Sequence, residues 1–199
     1  ATISDSTIKA YGDDGTASGF NVYGVKADSN NELTISGSTI SSTSEHSGGF
    51  SRAVEVDSNS TATITDSTLN SYSSSTYAYG LYLNRAGNVD VVDSSVAGTS
   101  TVAGARGIYA YSYGASGDIN VQGSTITAQG ATNSQGIVAY YGSGNLTVSD
   151  TTINSSTDTG NAYGFYTIDI SGDTTVSDST INVTSAGSDA YGFYTYMSG

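Results

Sequence analysis

An all-β solenoid is the expected architecture of this 199-residue chain, with residues 1–199 forming one continuous parallel β-helix segment of about seven coils of roughly 28 residues. The first reason is a phrase that opens on an apolar residue and closes on another five positions later, with Asp or Gly and hydroxyls between. It opens at Ile3, Ile35, Ile64, Val91, Val121, Val148 and Val176 and closes at Ile8, Ile40, Leu69, Val96, Ile126, Ile153 and Ile181. Its opening residues step by 32, 29, 27, 30, 27 and 28. The second reason is a further phrase that keeps the same phase. It runs Tyr23-Gly24-Val25, Arg52-Ala53-Val54, Tyr79-Gly80-Leu81, Arg106-Gly107-Ile108, Gln135-Gly136-Ile137, Tyr163-Gly164-Phe165 and Tyr191-Gly192-Phe193. The third is composition: Val, Ile, Thr and Tyr alternating with period two, punctuated by Gly, Asn and Asp, describe strands and tight turns rather than helix. Units of this length bury their apolar side only by stacking on the next.

The repeat at 146–168 shows the elements in order. Leu146 and Val148 alternate with Thr147 and Ser149, so the apolar pair points one way and the hydroxyls the other. Asp150-Thr151 turns the chain and Ile153 begins a second short strand. A polar loop is expected over 154–161. Tyr163 to Thr167 then forms a third strand, with Phe165 and Thr167 on one face and Tyr166 on the other. Ser171-Gly172-Asp173 hands over to the next repeat. Parallel strands stack about 4.8 Å apart, so the array should span roughly 29 Å.

Three inward columns follow. The opening residues of the first phrase form one and its closing residues another. The third is Val25, Val54, Leu81, Ile108, Ile137, Phe165 and Phe193. A one-residue slip would turn a whole strand's apolar side chains outward, so the columns also fix register. Proline is absent, which suits ladders that need every backbone N–H. The loop between second and third strands is longest in the first two coils, over 9–22 and 41–52.

Charge narrows the partners. The net charge is −13, and the five basic residues all lie within the first 106. Nucleic-acid binding needs a basic stripe to displace counterions, and anionic lipid headgroups are disfavoured likewise. No stretch is apolar enough to span a membrane, so no direct membrane insertion of this segment is expected. Cysteine is absent, which suits a chain that crosses an envelope unfolded. The sequence starts and stops inside the repeat phrase, so a segment of a longer solenoid is expected, with caps and targeting sequence elsewhere.

The repeat style, "LTVSDTTI" at 146–153, "TTVSDSTI" at 174–181 and "AYGFYT" at 162–167 and 190–195, resembles the passenger region of Gram-negative autotransporter adhesins. The resemblance covers the whole chain. It implies a right-handed β-helix, in line with the usual hand of parallel crossovers. It also implies a bacterial cell-surface location, no catalysis, and adhesion to a host-surface protein or glycan or to another copy of the chain. No catalytic residue of the family has a counterpart here, and no cofactor is expected.

The candidate ligand-binding residues are tyrosines. The outward neighbours of the third core column run Lys26, Glu55, Tyr82, Tyr109, Val138, Tyr166 and Tyr194, with Tyr111, Tyr113, Tyr140, Tyr141 and Tyr196 close by. Tyr82, Tyr109, Tyr111, Tyr166 and Tyr194 offer flat apolar faces with hydroxyl tips, which suit sugar rings or a partner protein. A structural role stands beside that one: Tyr82, Tyr109, Tyr166 and Tyr194 each lie two residues after a strand glycine, where an aromatic can cover the missing side chain.

Three further patterns favour the bland account. The turn column Asp5, Gly37, Asp66, Asp93, Gly123, Asp150, Asp178 brings like charges together at 66/93 and 150/178, which calcium could relieve, yet Asp before Ser also caps its own turn. A hydroxyl face beside the first core column breaks at Asp90 and Asn120, against an ice-binding surface. His46 sits beside Glu45 in a Ser/Gly-rich loop, where adjacent residues make no oriented dyad. A polysaccharide-binding or polysaccharide-degrading β-helix is the alternative; the degrading form would need clustered acids near a cation.

Overall fold

A computed structural model describes residues 1–12, 19–45, 47–111 and 117–198. Among them, twenty-one strands come in threes, one triplet per coil. The first coil holds β1 (Thr2–Ser4), β2 (Thr7–Gly12) and β3 (Val22–Ala27), and the second β4 (Glu32–Ser36), β5 (Thr39–Ser44) and β6 (Ser51–Asp57). The third holds β7 (Thr61–Thr65), β8 (Thr68–Ser73) and β9 (Ala78–Asn84), and the fourth β10 (Val89–Val92), β11 (Ser95–Ser100) and β12 (Ala105–Tyr111). The fifth holds β13 (Ile119–Gln122), β14 (Thr125–Gly130) and β15 (Ser134–Tyr140), and the sixth β16 (Leu146–Ser149), β17 (Thr152–Thr157) and β18 (Ala162–Ile168). The seventh holds β19 (Thr174–Ser177), β20 (Thr180–Ser185) and β21 (Ala190–Tyr196). Each strand pairs in parallel with its counterpart in the next coil, giving three seven-stranded sheets.

Register follows the columns read from the sequence. Ile35 pairs with Ile64, Ile40 with Leu69, and Ile108 with both Leu81 and Ile137. Ile35, Ile64, Ile126, Ile153 and Phe165 are fully buried in one apolar interior. Covering such a side chain contributes about 1.5–3 kcal/mol, most of it offset by chain entropy. In the first and last coils Ile3, Ile8, Val176 and Ile181 are partly buried and Phe193 is 47% exposed.

The second strand is longer than its polar sequence suggests. β17 runs to Thr157, so residues 154–157 are strand rather than loop, and Ser155 and Thr157 are buried. The backbone ladder to β14 and β20 continues through both. Mostly small side chains fill this inner column: Ser42, Ser71, Gly98 and Ala128 precede Ser155, and Val183 follows it in the last coil.

The turn between first and second sheets explains the recurring phrase. Asp5, Asp66, Asp93, Asp150 and Asp178 have φ of 47–51°, and Gly37 and Gly123 have φ of 55° and 61°. Asp and Gly are the residues that tolerate this left-handed backbone. The hydroxyl that follows links the coils. The N–H of Ser6 donates to Ser38 Oγ, that of Ser38 to Ser67 Oγ and that of Ser67 to Ser94 Oγ, each at 3.1 Å. The relay continues through Ser124, Thr151 and Ser179 at 3.1–3.3 Å. Each hydroxyl in turn donates to the carbonyl two residues before it, as Ser67 does to Thr65 O at 2.7 Å. Ser38, Ser67, Ser94, Ser124 and Thr151 are buried, where an unpaired N–H would cost about 1–3 kcal/mol.

Candidate ligand-binding face

The third sheet presents the chemistry. Its strands bend at the column that holds glycine in six coils and Ala53 in the second, and the ladder omits a pairing there: Arg106 pairs with Gln135 and Ile108 with Ile137, while Gly107 and Gly136 do not pair. The bend puts residues three apart on the same outer face. Tyr79 and Tyr82 rings therefore meet edge to face at 5.2 Å, and Tyr163 and Tyr166 at 4.8 Å.

Two outer ladders flank the bend. The first runs Tyr23, Arg52, Tyr79, Arg106, Gln135, Tyr163, Tyr191, and the second Lys26, Glu55, Tyr82, Tyr109, Val138, Tyr166, Tyr194. Tyr82 stacks on Tyr109 at 5.2 Å and Tyr166 on Tyr194 at 5.1 Å. Val138 would interrupt the second ladder, but Tyr140 fills the gap, its ring 5.6 Å from Tyr109 and 5.7 Å from Tyr166. Val138 is fully buried. Tyr111 stands one column further out, opposite Tyr140 in register, and its ring meets Tyr141 at 6.0 Å. The face is thus a row of Tyr82, Tyr109, Tyr140, Tyr166 and Tyr194, each partly exposed, with Tyr79 buried against it.

The first ladder was visible as a column in the sequence, but the glycine bend that brings it onto this face was not. The same bend revises the structural role considered for the tyrosines. A Cβ on Gly80 would lie 2.6 Å from Val96 Cγ1, and one on Gly136 would lie 2.3 Å from Ile153 Cγ2. The glycines therefore face the interior, and the tyrosines do not cover their missing side chains.

Two of the three arginines, Arg52 and Arg106, lie among these rings. Arg52 Cζ is 3.8 Å from the Tyr82 centroid, and its Nη1 pairs with Glu55 Oε2. Lys26 Nζ is 3.0 Å from the other oxygen of Glu55, which is 2% exposed. Arg106 Cζ is 4.7 Å from the centroids of both Tyr77 and Tyr109.

Burial raises the hydroxyl pKa of Tyr79, Tyr82, Tyr140 and Tyr166, and that of Tyr109 to about 12. All remain neutral donors at ordinary pH. The stability they contribute is whole below the unfolded value of 10.0 and is lost as pH rises toward about 12, because the unfolded chain gives up these protons first. The thermal midpoint should accordingly fall across that window, with the phenolate absorbance of the buried rings rising after that of the exposed ones. A midpoint flat from pH 10 to 12 would contradict this ordering.

The other candidate positions offer less. Asp66 and Asp93 are neighbours in the turn column, as are Asp150 and Asp178, but no group of three or more His, Cys, Asp or Glu is gathered among the described residues. At Asp90 and Asn120, where the hydroxyl face breaks, Asn120 Nδ2 donates to Asp90 Oδ1 at 2.8 Å. His46 and Tyr113 lie outside the described residues.

The chain matches no protein-family model, no curated protein and no solved structure.

Proposed function

We propose that this chain is a non-catalytic binding segment of a bacterial cell-surface adhesin of the autotransporter passenger type, and that its third sheet attaches to saccharides on a host surface. The observation that carries the reading is the unbroken row of partly exposed rings at Tyr82, Tyr109, Tyr140, Tyr166 and Tyr194. Ring faces give sugars apolar contact, and the hydroxyl tips give hydrogen bonds at little conformational cost. Each coil contributes a weak site, and repetition along the axis converts weak sites into firm attachment. The repeat style of the sequence and the low basic content support a surface-displayed, saccharide-facing role over nucleic-acid or lipid partners.

Replacing Tyr82, Tyr109, Tyr166 and Tyr194 together with Ser tests it. Attachment of the purified chain to immobilised host-surface glycans should fall at least about tenfold, since stacked rings contribute about 0.5–1.5 kcal/mol each beyond area. Far-UV circular dichroism should keep its β signal, because Lys26 and Glu55 show that the column tolerates polar side chains. Undiminished attachment would remove these residues, and the reading with them.

A further inference from the structure

The two arginines of the face are in different chemical states. Arg52 has Glu55 as its counter-charge, and Glu55 is shared with Lys26. Arg106 has none: among the described residues no carboxylate pairs with it. Its Nε donates to Gln135 Oε1 at 2.6 Å and its Nη1 to the Tyr79 hydroxyl at 2.9 Å, both neutral acceptors. Those bonds, with Tyr77 and Tyr109 packed beside it, hold the guanidinium in one orientation. Nη2 has no protein acceptor among the described residues, so part of the donor fork is unspent.

A guanidinium partly withdrawn from water is costly without an anion, and cation–π contacts worth about 0.5–2 kcal/mol return only part of that. The rest of the chain could have supplied the anion. The chain carries eighteen acidic residues, yet among the described residues none is paired with this cation. We infer that the ligand of this face is an acidic saccharide, with a ring carboxylate or sulfate held by Arg106 and the adjoining sugars lying on Tyr109 and Tyr140. The inference rests on the saccharide reading of the face and names its ligand class. A carboxylate or sulfate accepts paired N–H donors from a planar guanidinium, a geometry that an ammonium does not reproduce. Selectivity arises because the net charge of −13 repels polyanions elsewhere, so an acidic chain is held only where the fork meets it.

Three polymers sharing one backbone separate the possibilities: dextran, carboxymethyl-dextran and dextran sulfate, titrated calorimetrically against the whole chain at low salt. The native chain should bind at least one charged polymer tenfold or more tightly than dextran, and which one identifies carboxylate or sulfate. Arg106→Gln should abolish that preference, bringing the ratio of charged-polymer to dextran affinity down to about one or below. The variant should fold, because Gln135 occupies the same column one coil on. Arg106→Lys, which keeps the charge but loses the fork, should retain only part of the preference. Dextran binding without preference for either charged polymer, or a preference that survives Arg106→Gln, overturns the acidic assignment and leaves the saccharide face standing. Failure of the native chain to bind all three overturns both.

Discussion

Gly136→Ala should destabilise the chain by about 3 kcal/mol, read as a lowered midpoint in urea denaturation. The new methyl would lie 2.3 Å from Ile153 Cγ2 and 2.7 Å from Gly164 O, closer than packed atoms approach. The same encounter recurs between each coil and the next. A Cβ on Gly24 meets Ile40 Cγ2 at 2.6 Å, on Gly107 meets Ile126 Cγ2 at 2.3 Å, and on Gly164 meets Ile181 Cγ2 at 2.3 Å. In every case one obstacle is a methyl on the β-carbon of a branched residue and another is a backbone oxygen of the next coil, which for Gly24 is Ala53 O at 2.5 Å. One coil breaks both halves of the rule at once. Its phrase carries Ala53 in place of glycine, and the residue standing next in the closing column is Leu69, which has no branch at Cβ. Alanine at the bend and leucine in the facing column are therefore a compensating pair. Ile153→Leu in the Gly136→Ala background should recover about half or more of the lost stability, although alone it costs up to about 1.5 kcal/mol as a volume-conserving swap. A double variant no more stable than Gly136→Ala would show that the backbone oxygen of Gly164, not the Ile153 methyl, sets the constraint.

This pairing marks where sequence reasoning reached and where it stopped. The core columns were legible because side chains on strands repeat with period two and coils repeat near 28 residues, so Ile35, Ile64 and Val91 could be aligned by counting. The end of β17 was not legible. Ser155 and Thr157 carry no apolar signal, and what makes them strand is hydrogen bonding to neighbouring coils. The same holds for the links outside the sheets. Asp118 N–H donates to Asn88 Oδ1, Asn145 N–H to Asp118 Oδ1 and Asp173 N–H to Asn145 Oδ1, at 2.8–3.0 Å. Each residue reads as a turn former in its own segment; the bond that gives it a place comes from a coil about 28 residues away. On the candidate face, Tyr82, Tyr109, Tyr166 and Tyr194 were found by column. Tyr140 leaning over Val138, and Tyr79 and Arg106 turning onto the face at the glycine bend, depend on side-chain direction that periodicity does not encode.

The ion pair at the start of the face carries a second large effect. Glu55→Gln should destabilise the chain by about 3 kcal/mol, because it removes the carboxylate from Arg52 and Lys26 together. The Arg52 side chain is 12% exposed and would be left as a nearly buried cation among rings, whereas Lys26 at 39% can turn to water and to Asp28. The pair itself need not be stabilising relative to an apolar substitute. The next coil holds Tyr79 and Tyr82 at the same two positions, with their rings edge to face at 5.2 Å. Further along, tyrosines in neighbouring coils stack directly, Tyr163 on Tyr191 at 5.1 Å and 10°. Arg52→Tyr with Glu55→Tyr should therefore lie within about 1 kcal/mol of the native chain or above it, since aromatic pairs contribute about 0.5–1.5 kcal/mol each. The comparison is made in urea, with each single variant completing the cycle. A double variant as unstable as Glu55→Gln would mean that Arg52 is held for its contacts with Tyr82, and that the cation, not the ring, is what this coil requires.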